Sequence, residues 1–107
     1  MDLITGVLSL SCAKNIVIAG DLMQLPNVIP DQVKLMTRPI SEKYNLKDGY
    51  KYESNSLLSS ICLILPSVPR TMLREHYRCH PKIIEFCNKK FYDNKLIIMT
   101  EDRNETD

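Results

Sequence analysis

The sequence predicts an α/β fold whose strands belong to a parallel sheet, and three observations carry this expectation. Asn15-Ile16-Val17-Ile18-Ala19 is a short unbroken apolar run rich in β-branched residues, the pattern of a strand covered on both faces. Residues 56–65 and 81–91 carry apolar residues at helical spacing. Thr71-Met72-Leu73 and Leu96-Ile97-Ile98-Met99 offer further short strands around the second helix.

Taken in order, Leu3, Val7, Leu8 and Leu10 recur near helical spacing and predict a helix over residues 2–13, weakened by Gly6. Lys14-Asn15 ends that pattern, and the apolar run that follows stops at Gly20-Asp21. Open α/β sheets bind ligands just beyond the carboxyl ends of their strands. Residues 27–53 hold Pro30, Pro39 and Gly49 with scattered charges, and read as an irregular insertion. Asn55 or Ser56 can cap a helix whose stripe is Leu57, Leu58, Ile61 and Leu65, and Pro66 and Pro69 stop it. Pro81 suits a first helical turn, where its missing N–H has no partner anyway. The helix it opens is expected to bury Ile83, Ile84, Cys87 and Phe91 and to pair Glu85 with Lys89 on its other side. The acidic tail from Thr100 is expected to fray.

Composition narrows the classes. Leu, Ile, Val and Phe make up 31 of the 107 residues, above the share, about one fifth, below which chains stay disordered. No run of about 18 apolar residues exists, and Met1-Asp2-Leu3-Ile4-Thr5-Gly6 is a poor start for a secretory signal. A soluble, intracellular protein is expected, cytoplasmic or nuclear, with no membrane partner. The net charge of +1 is uneven. Residues 70–98 hold seven basic against three acidic side chains, a local excess that suits an anion such as phosphate or, equally, a solvated helix face. The cysteines at 12, 62, 79 and 87 form no CxxC pair. Cys79, His80 and Cys87 match no zinc pattern, so the expectation is reduced thiols and no metal.

Two segments carry the chemistry. Gly20-Asp21-Leu22-Met23-Gln24-Leu25-Pro26 places an acid and an amide on a loop after a strand. Gly20 would let the backbone turn. Asp21 can orient a metal-bound water, or simply cap the turn. Gln24 can donate to a phosphate oxygen and position a water, or simply be exposed. The second segment is Leu73-Arg74-Glu75-His76-Tyr77-Arg78-Cys79-His80-Pro81. Arg78 precedes a helix start, where a cation is disfavoured by the helix dipole unless it has another task. A guanidinium grips phosphate bidentately, and Tyr77 offers a face for stacking on a ring. The structural alternative packs Tyr77 in the core and pairs Arg78 with Glu75 or another carboxylate. His76 and His80 are read as hydrogen-bonded structural groups rather than metal ligands or bases.

Gly20-Asp21-x-x-Gln24-Leu25-Pro26 resembles motif III of superfamily 1 helicases. Glu75-His76-Tyr77-Arg78-Cys79-His80-Pro81, followed by Ile84, Phe86, Phe91-Tyr92 and Leu96, resembles motif IV. The likeness is narrower to the branch of the nonsense-mediated-decay RNA helicase and nuclease-linked DNA helicases, where His76 replaces a usual Gln and Cys79 a usual Met. The Ser56-Leu57-Leu58 helix between the motifs is similar to that branch's Ser-Leu-Phe helix.

The resemblance implies partial RecA-like parallel-sheet domains: residues 1–74 closing a first domain and 75–107 opening a second. In such enzymes the two domains clamp ATP and Mg²⁺. By this likeness Gln24 senses the γ-phosphate and Asp21, after Gly20, braces that loop. Tyr77 stacks on adenine, and Arg78 reaches the γ-phosphate from the second domain. The implied partners are single-stranded DNA or RNA and the remainder of a longer helicase chain.

No Gly-x-x-x-x-Gly-Lys-Ser/Thr loop and no Asp-Glu pair occur. The expectation is therefore an internal slice of a helicase that by itself binds no cofactor, hydrolyses no ATP, and is marginal or oligomeric. The rival expectations are a non-catalytic interaction module docking through residues 70–98, and a small metal-binding protein using Cys79, His80 and Cys87.

Overall fold

The computed structural model describes residues 1–101. Among these residues the order is α1 (Leu3–Leu10), α2 (Asp31–Lys43), a 3₁₀ turn (Asp48–Tyr50), α3 (Leu57–Ile64), β1 (Glu75–His76), α4 (Pro81–Phe91) and β2 (Ile97–Ile98). The chain divides into two compact units, Met1–Val68 and the segment from Pro69 onward. Among the described residues no helix is long and apolar enough to cross a membrane.

In the first unit, α1 starts where Asp2 caps it, accepting the Thr5 N–H at 2.9 Å and the Thr5 hydroxyl at 2.7 Å. α1 packs on α3 through Leu3 and Gly6, both buried. A Cβ at Gly6 would lie 2.8 Å from the Leu57 side chain. The glycine that weakens the helix as a sequence is thus what lets the two helices meet. Ser56 and Ser59 form a capping box at the start of α3: the Ser59 N–H donates to Ser56 Oγ, and the Ser56 N–H donates to Ser59 Oγ. Asn55 donates to the carbonyls of Asp48 and Lys51, and Ser60 donates to that of Gly49 at 2.6 Å. These buried polar side chains pin α3 to the 3₁₀ turn.

Two expectations fail in this unit. The run Asn15–Ala19 is not a strand. Val17 is 98% exposed and Ile16 47%. A doubly covered strand needs a neighbour on each side, and among the described residues nothing pairs with this segment. The region 27–53, expected to be irregular, contains the 13-residue helix α2 and the 3₁₀ turn. Pro30 and Pro39 masked it. Pro30 sits at the N-cap, where its fixed φ is harmless, and Pro39 lies inside the helix. Pro39 offers no N–H to the Leu35 carbonyl, but Leu35 is 68% exposed, so water can satisfy that oxygen. Thr37 Oγ1 fastens the helix by donating to Glu53 Oε2 at 3.1 Å.

The second unit is a β-α-β turn of chain. β1 and β2 are parallel, with Glu75 opposite Ile97 and His76 opposite Ile98. The Ile97 N–H donates to the Arg74 carbonyl at 2.8 Å, and the Met99 N–H donates to the His76 carbonyl at 2.9 Å. The strand expected at residues 71–73 is displaced to 75–76, because the partner for a hydrogen-bond ladder lies there. α4 occupies the expected span, and Glu85 pairs with Lys89 at 3.0 Å. Its inward face differs from the expected one. Ile84 and Asn88 are buried, whereas Ile83 is 61% and Phe91 46% exposed.

Asn88 explains the difference. Its amide donates to the Leu96 carbonyl at 3.1 Å and accepts the Leu96 N–H at 2.9 Å, so it acts as a clamp between α4 and the entry to β2. The chain reverses through Asp93 and Asn94, both at positive φ, a conformation that Asp and Asn tolerate better than most residues. The helices joined to a two-stranded parallel sheet are those of a partial α/β domain. The fraying expected of the tail falls almost wholly on residues 102–107, outside the described residues.

Candidate functional site

The first candidate segment follows the irregular stretch 15–19 and turns at Asp21. Asp21 Oδ1 accepts the Met23 N–H at 2.9 Å, and Asp21 Oδ2 accepts Gln24 Nε2–H at 3.1 Å. This is an Asx turn closed by its own amide. Gln24 is exposed and makes no further side-chain hydrogen bond among the described residues. Gly20 is not in the left-handed region. Its role is space: a Cβ there would lie 2.9 Å from Leu58 Cδ2, so α3 approaches the segment at this point. Gly20, Asp21 and Gln24 border an open cleft of about 550 Å³ between residues 16–27 and the start of α3, with Leu57 and Leu58 on its floor.

The second segment is built around the loop from β1 to α4. His80 is the N-cap of α4, its Nδ1 accepting the Lys82 N–H at 3.2 Å, and Pro81 fills the first helical position. His76 Nε2 accepts the Cys79 N–H at 3.0 Å, and Thr100 Oγ1 donates to the Cys79 carbonyl at 2.7 Å. Tyr77 and Arg78 project from a loop whose two ends are thereby fixed. Tyr77 is 64% exposed, and its hydroxyl donates to Glu75 Oε2. That hydrogen bond, followed by desolvation and the carboxylate's charge, raises the Tyr77 phenol above its ordinary range. Arg78 is exposed and makes no hydrogen bond or ion pair among the described residues. Core packing of Tyr77 and a Glu75–Arg78 pair are thus absent from the described residues. Glu75 is engaged by Tyr77, which leaves the guanidinium available to an anion.

Asp21 and Gln24 come together in the first unit, and Tyr77 and Arg78 in the second. Among the described residues, Cys79, His80 and Cys87 form no group able to hold a metal ion, and none of the four cysteines is in a disulfide. Sequence reasoning missed Thr100 and Asn88. A single polar residue in a helix or tail leaves no periodic mark, so neither offered a signal beyond its residue type.

The profile of a family described as AAA domain matches residues 53–107, which takes in α3, the loop with Tyr77 and Arg78, α4 and β2. The match begins after the Gly20–Pro26 segment. No curated protein and no solved structure matches the chain. With half of its length matched, and with parallel strands joined through a helix as such a fold requires, this chain belongs to the AAA-domain family and carries part of a helicase-like, P-loop-type α/β domain.

Proposed function

We propose that the chain is a segment of an ATP-dependent superfamily 1 helicase of the RNA-decay and nuclease-linked branch, and that it supplies two sides of an ATP cleft. In this reading residues 1–74 close a first RecA-like domain and residues 75–107 open a second. Gln24, on the turn braced by Asp21 after Gly20, faces the γ-phosphate from the first. Tyr77 stacks on adenine and Arg78 meets the γ-phosphate from the second. ATP with Mg²⁺ bridges the domains, and hydrolysis releases the closure that moves single-stranded DNA or RNA.

The observation that supports the reading best is the exposed Arg78, without a partner among the described residues, on a loop fixed at both ends and within the matched AAA-domain residues. Catalysis of phosphoryl transfer is mostly positioning and charge stabilisation, and a guanidinium held in this way provides both. Tyr77 fits beside it, because Glu75 orients the phenol while the ring face stays open.

The 107 residues hold no phosphate-cradling loop and no Asp-Glu pair, so alone they are expected to turn over no ATP. In the parent enzyme, Gln24→Ala is expected to leave folding intact and slow ATP hydrolysis by orders of magnitude. A wild-type steady-state rate in that variant, or turnover by the purified 107-residue chain that vanishes on Arg78→Ala, would refute the assignment.

A further inference from the structure

The loop of Tyr77, Arg78 and Cys79 depends on an unusual acceptor. Its backbone turn is closed by the imidazole of His76, whose Nε2 takes the Cys79 N–H at 3.0 Å. Only a neutral imidazole with its proton on Nδ1 can do so, because an imidazolium has two N–H groups and no acceptor. Histidine is the side chain that changes between these forms within the ordinary pH range.

Two further loop contacts involve no titrating group, and the imidazole of His80, which caps α4, meets a different amide, that of Lys82. Thr100 Oγ1 donates to the Cys79 carbonyl, and the Met99 N–H donates to the His76 carbonyl. They hold β1 and the end of the loop, while the N–H of Cys79 rests on His76 alone among the described residues.

We infer that His76 is a positioning residue that latches the loop bearing Tyr77 and Arg78 when its imidazole is neutral and releases it when protonated, which makes the presentation of the guanidinium pH-dependent. The significance for nucleotide rests on the proposed function, whereas the latch itself does not.

The surrounding charges leave the latch uncompensated. On β1, Glu75 is engaged by the Tyr77 hydroxyl. Just before β1, Arg74 Nε donates to the Lys95 carbonyl. The loop and the first turn of α4 contribute cations, Arg78 and Lys82, and the approach to β2 contributes Lys95 with Asp93 4.0 Å from its ammonium. Among the described residues no carboxylate stands within ion-pair distance of His76 to replace the lost bond. Protonation therefore turns an attractive N–H···N contact into two N–H groups facing each other. The direction is fixed: the Cys79 N–H is latched at high pH and released as pH falls.

His80 is a second imidazole that accepts a backbone N–H, that of Lys82, so the two histidines have separate reporters. The test is an amide and imidazole NMR titration of the full chain from about pH 8 to about pH 5. The Cys79 amide is expected to follow the His76 imidazole, with hydrogen-exchange protection, corrected for intrinsic exchange, falling by about fivefold, the worth of one ordinary hydrogen bond. In His76→Gln, whose amide oxygen accepts at every pH, the Cys79 amide stays put while the Lys82 amide titrates as before. In His76→Leu, Cys79 is unprotected throughout.

A Cys79 amide that ignores the His76 titration, stays protected in His76→Leu, or still titrates in His76→Gln overturns the inference. Failure of Arg78→Ala to slow ATP hydrolysis in the parent, with Cys79 still tracking His76, would sink the proposed function and leave the latch standing.

Discussion

The two candidate segments are held in different ways. Gly20–Pro26 is braced from within: Asp21 binds its own neighbours Met23 and Gln24, and the flanking Val17 and Leu25 are each 98% exposed. The loop from Glu75 to His80 is braced from outside, by β2 through Met99, by Thr100, and by the α4 N-cap. A β-α-β unit satisfies its own backbone in about thirty residues. A strand meant for the middle of a parallel sheet does not, since each of its edges needs a neighbour. The second unit therefore presents Tyr77 and Arg78 on a formed scaffold, while the first carries Gln24 on a turn closed by the bonds of Asp21 to Met23 and Gln24.

The largest break of this comparison comes from the two packing centres. Asn88→Leu in the second unit removes both bonds to Leu96 and leaves that part-buried backbone unpaired. A loss of about 2–4 kcal/mol is expected, with the Ile97 and Met99 amides losing exchange protection. Gly6→Val in the first unit forces a side chain into the Leu57 contact and is expected to cost about 1–3 kcal/mol without touching those amides. If Asn88→Leu left the Ile97 amide protected, the scaffold described for the second unit would be wrong.

A smaller effect concerns Tyr77. Its phenol is raised chiefly by the hydrogen bond to Glu75. A group whose folded value is raised contributes stability that is complete below its unfolded value and disappears as pH rises through the folded one. Glu75→Gln is expected to lower the Tyr77 phenol toward its ordinary range and to flatten stability on the alkaline side. Observing the Tyr77 ring resonances through an alkaline titration checks both, and an unchanged midpoint would remove Glu75 from the account.

How much of this was legible follows from where the signals lie. α3 and α4 were readable because caps are local: Ser56 before an apolar stripe, Pro81 after His80. The pairing of Glu85 with Lys89 was readable for the same reason. α2 was hidden by Pro30 and Pro39, which as letters mean interruption and here mark a cap and a tolerated exposed bend in bonding. Asn15–Ala19 was misread because its apolar pattern describes a strand among neighbours. The face of α4 was misread because Asn88, a polar residue, takes the inward place that periodicity gave to Ile83 and Phe91. The residue types at Gly20, Asp21, Gln24, Tyr77 and Arg78 were visible in the sequence. The exposure of Arg78, and the transfer of Glu75 to Tyr77, became visible only in three dimensions.

The most direct measurement of the central claim is single-turnover ATP hydrolysis by the proposed helicase that contains this chain, with wild-type Arg78 and with Arg78→Ala, at saturating ATP and single-stranded nucleic acid. A guanidinium that stabilises the transferring phosphoryl group predicts a loss of about 10³-fold or more with folding intact. Hydrolysis by Arg78→Ala at the wild-type rate would contradict it.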